Sequence, residues 1–156
     1  MKSTLLIALC FIAFSALAQK ADTLKYCLAP GKVGVGGFDP VTYFKSVKPL
    51  PGSMSISTLY DGVKYRFASE KNKKDFLKNP AKYLPQFGGW CSMTLAMGRA
   101  TTPTYSNFLL KDSKLFLFER TLSVNGKELW LKNPTENTRL AKSTYEKFSG
   151  NNATAK

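Results

Sequence analysis

The sequence contains no histidine, and this absence removes the side chain that proteins use most often for acid–base catalysis and metal binding. Without an imidazole there is no Ser-His-Asp triad, no Cys-His pair and no histidine-ligated zinc site. A histidine switch that titrates near neutral pH is excluded for the same reason. No pair of carboxylates stands in a motif that indicates a hydrolase. The residues therefore do not identify an enzyme and favour a protein without catalytic activity.

Acidic residues are also few, because only 10 aspartates and glutamates oppose 23 lysines and arginines in 156 residues. The net charge of +13 predicts attraction to an anionic partner or, in the simplest alternative, only a solvated basic surface. The predicted partner is an anionic envelope surface or an acidic ligand, and not nucleic acid, because the N-terminus has the layout of an export signal. Four lysines at helical spacing predict one exposed basic face: Lys71, Lys74, Lys78 and Lys82.

Long apolar runs are limited to the N-terminus, where Lys2 precedes a run from Leu5 to Leu17. This run is shorter than the roughly 20 apolar residues that span a bilayer, and its Ala-Leu-Ala ending is typical of a signal peptidase site. We predict a signal peptide at residues 1–18, cleavage after Ala18 and a location in the periplasm or outside the cell. An uncleaved anchor is the alternative, and no transmembrane segment is predicted after the cleavage point.

Turn signals organise the first half of the chain. Glycine and proline are frequent from Ala21 to Gly37, and this composition predicts an irregular lead-in. Asp39 is the predicted N-cap of a short helix whose first residue is Pro40. The Asp-Gly pair at 61–62 joins the β-rich segments 56–60 and 63–68 and therefore predicts a hairpin.

Two helices are predicted in the middle of the chain. Ser69 is the expected N-cap of the first, which directs Phe76 and Leu77 inward and ends before Pro80. The second is predicted over residues 90–97, where Gly98 stops it.

The last third of the chain predicts a hairpin between segments 108–110 and 115–118. The Asn-Gly pair at 125–126 either turns another hairpin or precedes a short helix at 128–131, and we favour the helix. An amphipathic helix is predicted from 135 to 148. Its expected buried side chains are Leu140, Tyr145 and Phe148. These elements predict an α+β fold, in which a small single domain packs short antiparallel β-hairpins against several short helices.

Four short motifs carry a resemblance to a known family. They are Gly-Gly-Phe-Asp-Pro-Val at 36–41, Tyr65-x-Phe67-x-Ser69, Phe76-x-x-Asn79-Pro80-x-Lys82-Tyr83, and Gly-Gly-Trp-Cys at 88–91. Together they resemble the YHS domain family. The chain is similar to an exported branch of this family, in which the cysteine of the last motif is sometimes selenocysteine. The resemblance implies a YHS-like domain at 34–148 after a lead-in at 19–33, and we expect a disordered tail at 149–156.

Metal-associated members of the family use cysteines in a Pro-x-Cys element and in the segment that follows the aromatic strand residues. This chain has Thr42 near the first of these positions, Ala68 at the second and Asn72 at the third. The metal function of those members is therefore not expected at these positions. Cys91, from the last motif, is the marker cysteine that remains.

Cys91 has three interpretations. At the start of the predicted 90–97 helix its thiolate is favoured by free amides and the helix dipole, which makes it a candidate reactive thiol. Selenocysteine at the matching position of similar proteins implies the same chemistry. A disulfide with Cys27 is the second interpretation, because cleavage leaves these two cysteines in an oxidising compartment. The third is an inert thiol in the core.

Cys91, Met93 and Met97, with Met54 as an additional candidate ligand, form a candidate soft-metal site, because thiolate and thioether ligands favour Cu(I). Helical spacing opposes this set, since Cys91 lies about 200° around a helix from Met93. Our leading hypothesis is a Cys91-centred thiol redox role, or binding of copper or another soft metal, in the cell envelope. The alternative is a non-enzymatic structural or binding module that uses the basic surface and has a structural Cys27–Cys91 disulfide.

Overall fold

The computed structural model describes residues 25–150, so the predicted signal peptide at 1–18 and the end of the predicted tail, 151–156, lie outside the described part. In chain order the strands are β1 (Leu28–Ala29), β2 (Val33–Gly34), β3 (Ser53–Tyr60), β4 (Val63–Phe67), β5 (Thr104–Lys111) and β6 (Lys114–Phe118). The helices are α1 (Glu70–Lys78), α2 (Pro80–Tyr83), α3 (Ser92–Ala96), α4 (Gly126–Lys132) and α5 (Pro134–Phe148). Short 3-10 helices occupy Val35–Gly37, Thr42–Phe44 and Gln86–Gly89. The predicted α+β class is confirmed.

The first sheet has the strand order β1-β2-β4-β3. Strands β3 and β4 form the predicted antiparallel hairpin, and both Asp61 and Gly62 have positive φ, as a tight two-residue turn requires. Strand β2 joins β4 in parallel, with Val33 opposite Lys64. The prediction of a wholly irregular lead-in is therefore wrong.

The lead-in is ordered because its main chain bonds to distant parts of the fold. Cys27 N donates a hydrogen bond to Gly88 O at 3.0 Å, and the Tyr145 hydroxyl donates to Lys25 O at 2.9 Å. These partners are remote in sequence, so the local glycine and proline signal did not reveal them.

Helices α1 and α2 begin as their sequence indicates. The Ser69 side chain accepts a hydrogen bond from Asn72 N at 3.1 Å, which confirms the predicted N-cap. Asn79 caps α2, and Pro80 is its first residue. Phe76 is buried as predicted, but Leu77 is half exposed. The prediction that Leu77 points inward is wrong, because one side of this short helix packs on the sheet and the next residue lies outside that contact.

The second half of the chain forms the predicted β5–β6 hairpin, and Asn125 caps the favoured helix α4. Helix α5 also forms, but its fully buried residue is Ala141, while Leu140 and Tyr145 are half-buried and Phe148 is exposed. The prediction that Phe148 is buried is wrong, and Leu140 and Tyr145 are buried less than expected. The close contact between α5 and α3 is made at the small residue Ala141. Ser149, placed in the predicted tail, is buried at the end of α5.

Strand β6 separates two apolar clusters. Leu115 and Leu117 join the first cluster with Phe67 and Phe76, whereas Phe116 and Phe118 face the second, which contains Leu95, Trp130 and Ala141. The four consecutive apolar residues of β6 are therefore buried on both faces of the strand. Among residues 25–150, no helix combines the length and the apolar character that crossing a bilayer requires.

Candidate functional site

Cys91 is positioned by strand pairing. The segment before it runs parallel to β6, with Pro85 opposite Leu115 and Cys91 opposite Leu117. Cys91 N donates to Thr101 O at 3.0 Å, and the Cys91 Sγ accepts a hydrogen bond from Glu119 N at 3.1 Å. The thiol is fully buried. Its hydrogen-bond donor therefore comes from the end of β6 and not from α3.

The predicted helix over 90–97 is shorter than expected. Helix α3 begins at Ser92, and Cys91 is its N-cap residue with an extended backbone, φ −61° and ψ 116°. Trp90 also lies outside the helix, because the positive φ of Gly88 and Gly89 keeps the preceding backbone non-helical. Because Cys91 lies outside the helix, the 100° rotation per helical residue does not determine the direction of its side chain relative to the methionines.

Cys91, Met93 and Met97 line one cavity of about 410 Å³ between α3, the end of β6 and α4. Met93 is half-buried against the second apolar cluster, and Met97 is 55% exposed. The structure thus brings together Cys91, Met93 and Met97, whereas Met54 is exposed on β3 and does not line this cavity.

The same cavity has a polar wall that the sequence analysis missed. The Thr101 hydroxyl donates to Glu119 Oε2 at 3.0 Å, and the Thr94 hydroxyl lies 2.9 Å from that of Thr101. Arg99 also lines the cavity. Glu119 is therefore not a freely solvated charge. Its position directly after a buried strand is the one local signal that distinguishes it from other acidic residues.

Cys27 has different side-chain partners from Cys91. Its Sγ lies 3.8 Å from both Thr102 Oγ1 and the Tyr105 hydroxyl. Burial raises the pKa of the Cys27 thiol above its usual range. Cys27 and Cys91 are both buried, unbonded thiols in this structure. Their pairing under oxidising conditions stays a prediction.

The positions matching the family's metal-associated cysteines converge on a different group, the carboxylate of Asp39. It is fully buried and accepts hydrogen bonds from Val41 N at 2.8 Å, Ala68 N at 2.8 Å and Asn72 Nδ2 at 2.7 Å. The prediction of an Asp39 N-cap before a helix starting at Pro40 is wrong, because the short 3-10 helix begins at Thr42 and Val41 is its N-cap residue. The carboxylate of Asp39 instead joins three separate donors, and the hydroxyl of Thr42 donates to Asp39 O. Threonine, alanine and asparagine offer no soft donor, so these residues do not fit the family's metal.

Within residues 25–150 no group of three or more histidine, cysteine or acidic side chains is arranged to hold a metal ion. The Cys91 cavity differs from such a group, because two of its sulfur atoms belong to methionines. The sulfur ligands of this cavity would therefore suit only a soft metal ion.

The four lysines of the predicted basic face are all exposed along α1 and α2. Lys71 Nζ lies 3.0 Å from Asp75 Oδ2, and Lys45 Nζ lies 2.9 Å from the same oxygen. The hydrogen bond from Lys45, followed by that from Lys71, lowers the pKa of Asp75 to about 2. Asp75 therefore stays ionised and neutralises part of the face, while the exposure of Lys74, Lys78 and Lys82 leaves a net positive surface.

Comparison with protein families connects this arrangement to a known domain. Residues 41–87 match the family model described as the YHS domain. The chain carries a YHS domain. The match covers β3, β4, α1 and α2, and it ends shortly before Cys91. The YHS resemblance is confirmed, whereas membership of the exported branch stays a prediction. No curated protein and no solved structure matches the chain.

Proposed function

We propose that this YHS-domain protein binds a soft monovalent metal ion, Cu(I), in the Cys91 cavity and does so in the cell envelope. The observation that carries the proposal is that Cys91, Met93 and Met97 line one cavity. A thiolate with two thioethers is a ligand set that selects Cu(I) over harder ions such as Mg²⁺ or Ca²⁺. The function is binding, and no catalytic step is part of it.

The backbone at Cys91 supports the proposal. In a continuous helix, Cys91 and Met93 would point in different directions. The extended N-cap residue releases this restriction, because its side-chain direction is set by the parallel pairing with Leu117. The hydrogen bond from Glu119 N to the Cys91 Sγ also fixes the position of this sulfur next to the end of β6.

Met97 is the most exposed of the three sulfur-bearing side chains of the cavity. Its side chain is 55% exposed, whereas Cys91 is fully buried. An ion that first meets the exposed thioether exchanges ligands as it moves inward. This order of contacts requires a small shift of α3 or the Cys91 side chain. We therefore expect Met97 to affect both the affinity and the rate of uptake.

The test is an anaerobic titration of the reduced protein with Cu(I) in competition with a chromophoric chelator. One equivalent is expected to bind. Cys91→Ser and Met97→Leu should each weaken the affinity by about tenfold or more, as loss of a coordinating or supporting group does in other metal sites. The matched control is Met54→Leu, because Met54 is 78% exposed on β3 and away from the cavity.

Native mass spectrometry of the purified protein separates this proposal from the alternatives. Protein free of copper with a Cys91 that is readily alkylated would favour thiol redox chemistry instead. A Cys27–Cys91 bond that resists mild reduction would favour a structural binding module. The same spectrum tests export, because cleavage after Ala18 leaves Gln19 as the first residue.

A further inference from the structure

A basic surface that also exposes aliphatic side chains lies away from the Cys91 cavity. We name it the basic platform and define it as the loop at 45–50 together with the outer sides of α1 and α2. Its lysines are Lys45, Lys48, Lys71, Lys74, Lys78 and Lys82, all exposed. The apolar side chains among them are Val47, which is 97% exposed, and the half-exposed Leu50 and Leu77.

Side-chain contacts hold the loop and the two helices together as one surface. Lys45 from the loop and Lys71 from α1 both bind Asp75. Phe44, which precedes the loop, packs edge-on against Tyr83 of α2 with ring centroids 5.4 Å apart. The loop therefore lies beside both helices, and its exposed Val47 lines one cleft with Lys45 and Lys127.

We propose that the basic platform docks the protein on the surface of an anionic lipid bilayer. Lysines near such a surface are attracted by its negative potential, and the net charge of +13 adds long-range attraction. Val47 at the loop tip enters the boundary between headgroups and acyl chains, where burial of an aliphatic side chain is favourable. The lysine stems lie along the apolar boundary while their ammonium groups reach the headgroups.

The exposed aliphatic side chains favour a bilayer over an anionic polymer. A polysaccharide or nucleic acid would attract the lysines equally but offers Val47 no apolar region in which to insert. An open cleft of about 530 Å³ adjoins the loop. Phe44, Phe108 and Leu110 line it together with Lys45 and Lys127, so the cleft combines apolar walls with cationic groups. This combination matches an anionic amphiphile.

The experiment measures co-sedimentation of the chain from Gln19 to Lys156 with vesicles of phosphatidylcholine alone or mixed with phosphatidylglycerol. This chain contains every residue of the described fold and omits the apolar N-terminal run. The triple variant K48Q/K74Q/K78Q removes three platform charges. The control K114Q/K142Q/K147Q removes the same charge from β6 and α5, where α5 packs on α3 and α4.

A second pair of variants tests the apolar contact. Val47→Ser changes the loop tip, and Leu122→Ser is its control because Leu122 is equally exposed in the loop between β6 and α4. Neither residue contributes to an apolar cluster, so the fold should be retained in both.

The expected result is binding to mixed vesicles and little binding to neutral ones. Each platform lysine contributes about fivefold, so the platform triple variant should bind about a hundredfold more weakly. The control triple variant should lose much less, and Val47→Ser but not Leu122→Ser should reduce the binding that remains at high salt. Equal losses in both triple variants would overturn the docking site. If the protein bound an acidic polysaccharide through the lysines of the basic platform, and Val47→Ser had no effect on vesicle binding, the assignment to lipid would be overturned.

Discussion

Replacing Asp39 with alanine perturbs a fully buried carboxylate that links the turn at residues 39–41 to the end of β4 and to α1. Alanine leaves Val41 N, Ala68 N and Asn72 Nδ2 without their acceptor. Each buried donor without a partner costs about 1–3 kcal/mol. The variant also avoids the desolvation cost of the carboxylate, so we expect a net loss of about 4 kcal/mol in the free energy of unfolding. This is a large share of the roughly 5–15 kcal/mol that a domain has.

Asp39→Asn provides a graded comparison because it preserves the side-chain volume. Its amide oxygen can take the place of Oδ2 and keep the bonds from Ala68 N and Asn72 Nδ2. Its NH₂ group then faces Val41 N, so a single acceptor is lost. The expected cost is about 2 kcal/mol, roughly half that of alanine.

The assay is urea unfolding at constant temperature, followed by tryptophan fluorescence, since Trp130 is fully buried in the second cluster. Asp75→Asn is the control. Asp75 lies on α1 near Asn72, but its salt bridges are exposed to solvent and contribute little to stability. If Asp39→Ala destabilised the protein no more than Asp75→Asn, the buried network would not stabilise the fold as we argue.

Two further predictions concern the lead-in. In Gly88→Ala the new Cβ would lie 1.9 Å from Lys25 O, so the segment before β1 should detach, and trypsin should cleave after Lys25 faster than in Gly98→Ala, where a Cβ meets nothing within 4 Å. Equal cleavage would contradict this contact. Because burial raises the pKa of Cys27, alkylation of Cys27 in the folded, reduced protein should lag behind that of the urea-unfolded protein near pH 8 and increase as the pH rises further. Equal rates in both states would contradict the burial of this thiol.

Local signals were sufficient for the hairpin turns and for the start of α1. Asp61-Gly62 predicted its hairpin because few residues besides glycine, asparagine and aspartate adopt positive φ at both turn positions. Ser69 predicted its cap because a short oxygen-bearing side chain can satisfy the first free amides of a helix. The exposed lysine face followed from helical spacing, because the periodicity of a helix alone decides which residues share a side.

Burial within helices was predicted less well. Leu77 and Phe148 are apolar but exposed, whereas Ala141 is fully buried. An apolar side chain is suited to burial, but it is buried only if a neighbouring element packs against it. Short helices such as α1 bury only a narrow stripe, so the residue next to that stripe is left in solvent.

The sequence by itself determined the hairpins, the caps, the basic face and the YHS motifs, because each depends on residues that are close together in the chain. Only the tertiary structure decided the environment of Cys91 and Asp39. Cys91 meets Met93 and Glu119 in one cavity because the segment before α3 pairs in parallel with β6, far along the chain. Asp39 is buried because β4 and α1 supply its donors. Contacts between residues so far apart carry no local pattern, since they arise only when the strands and helices pack.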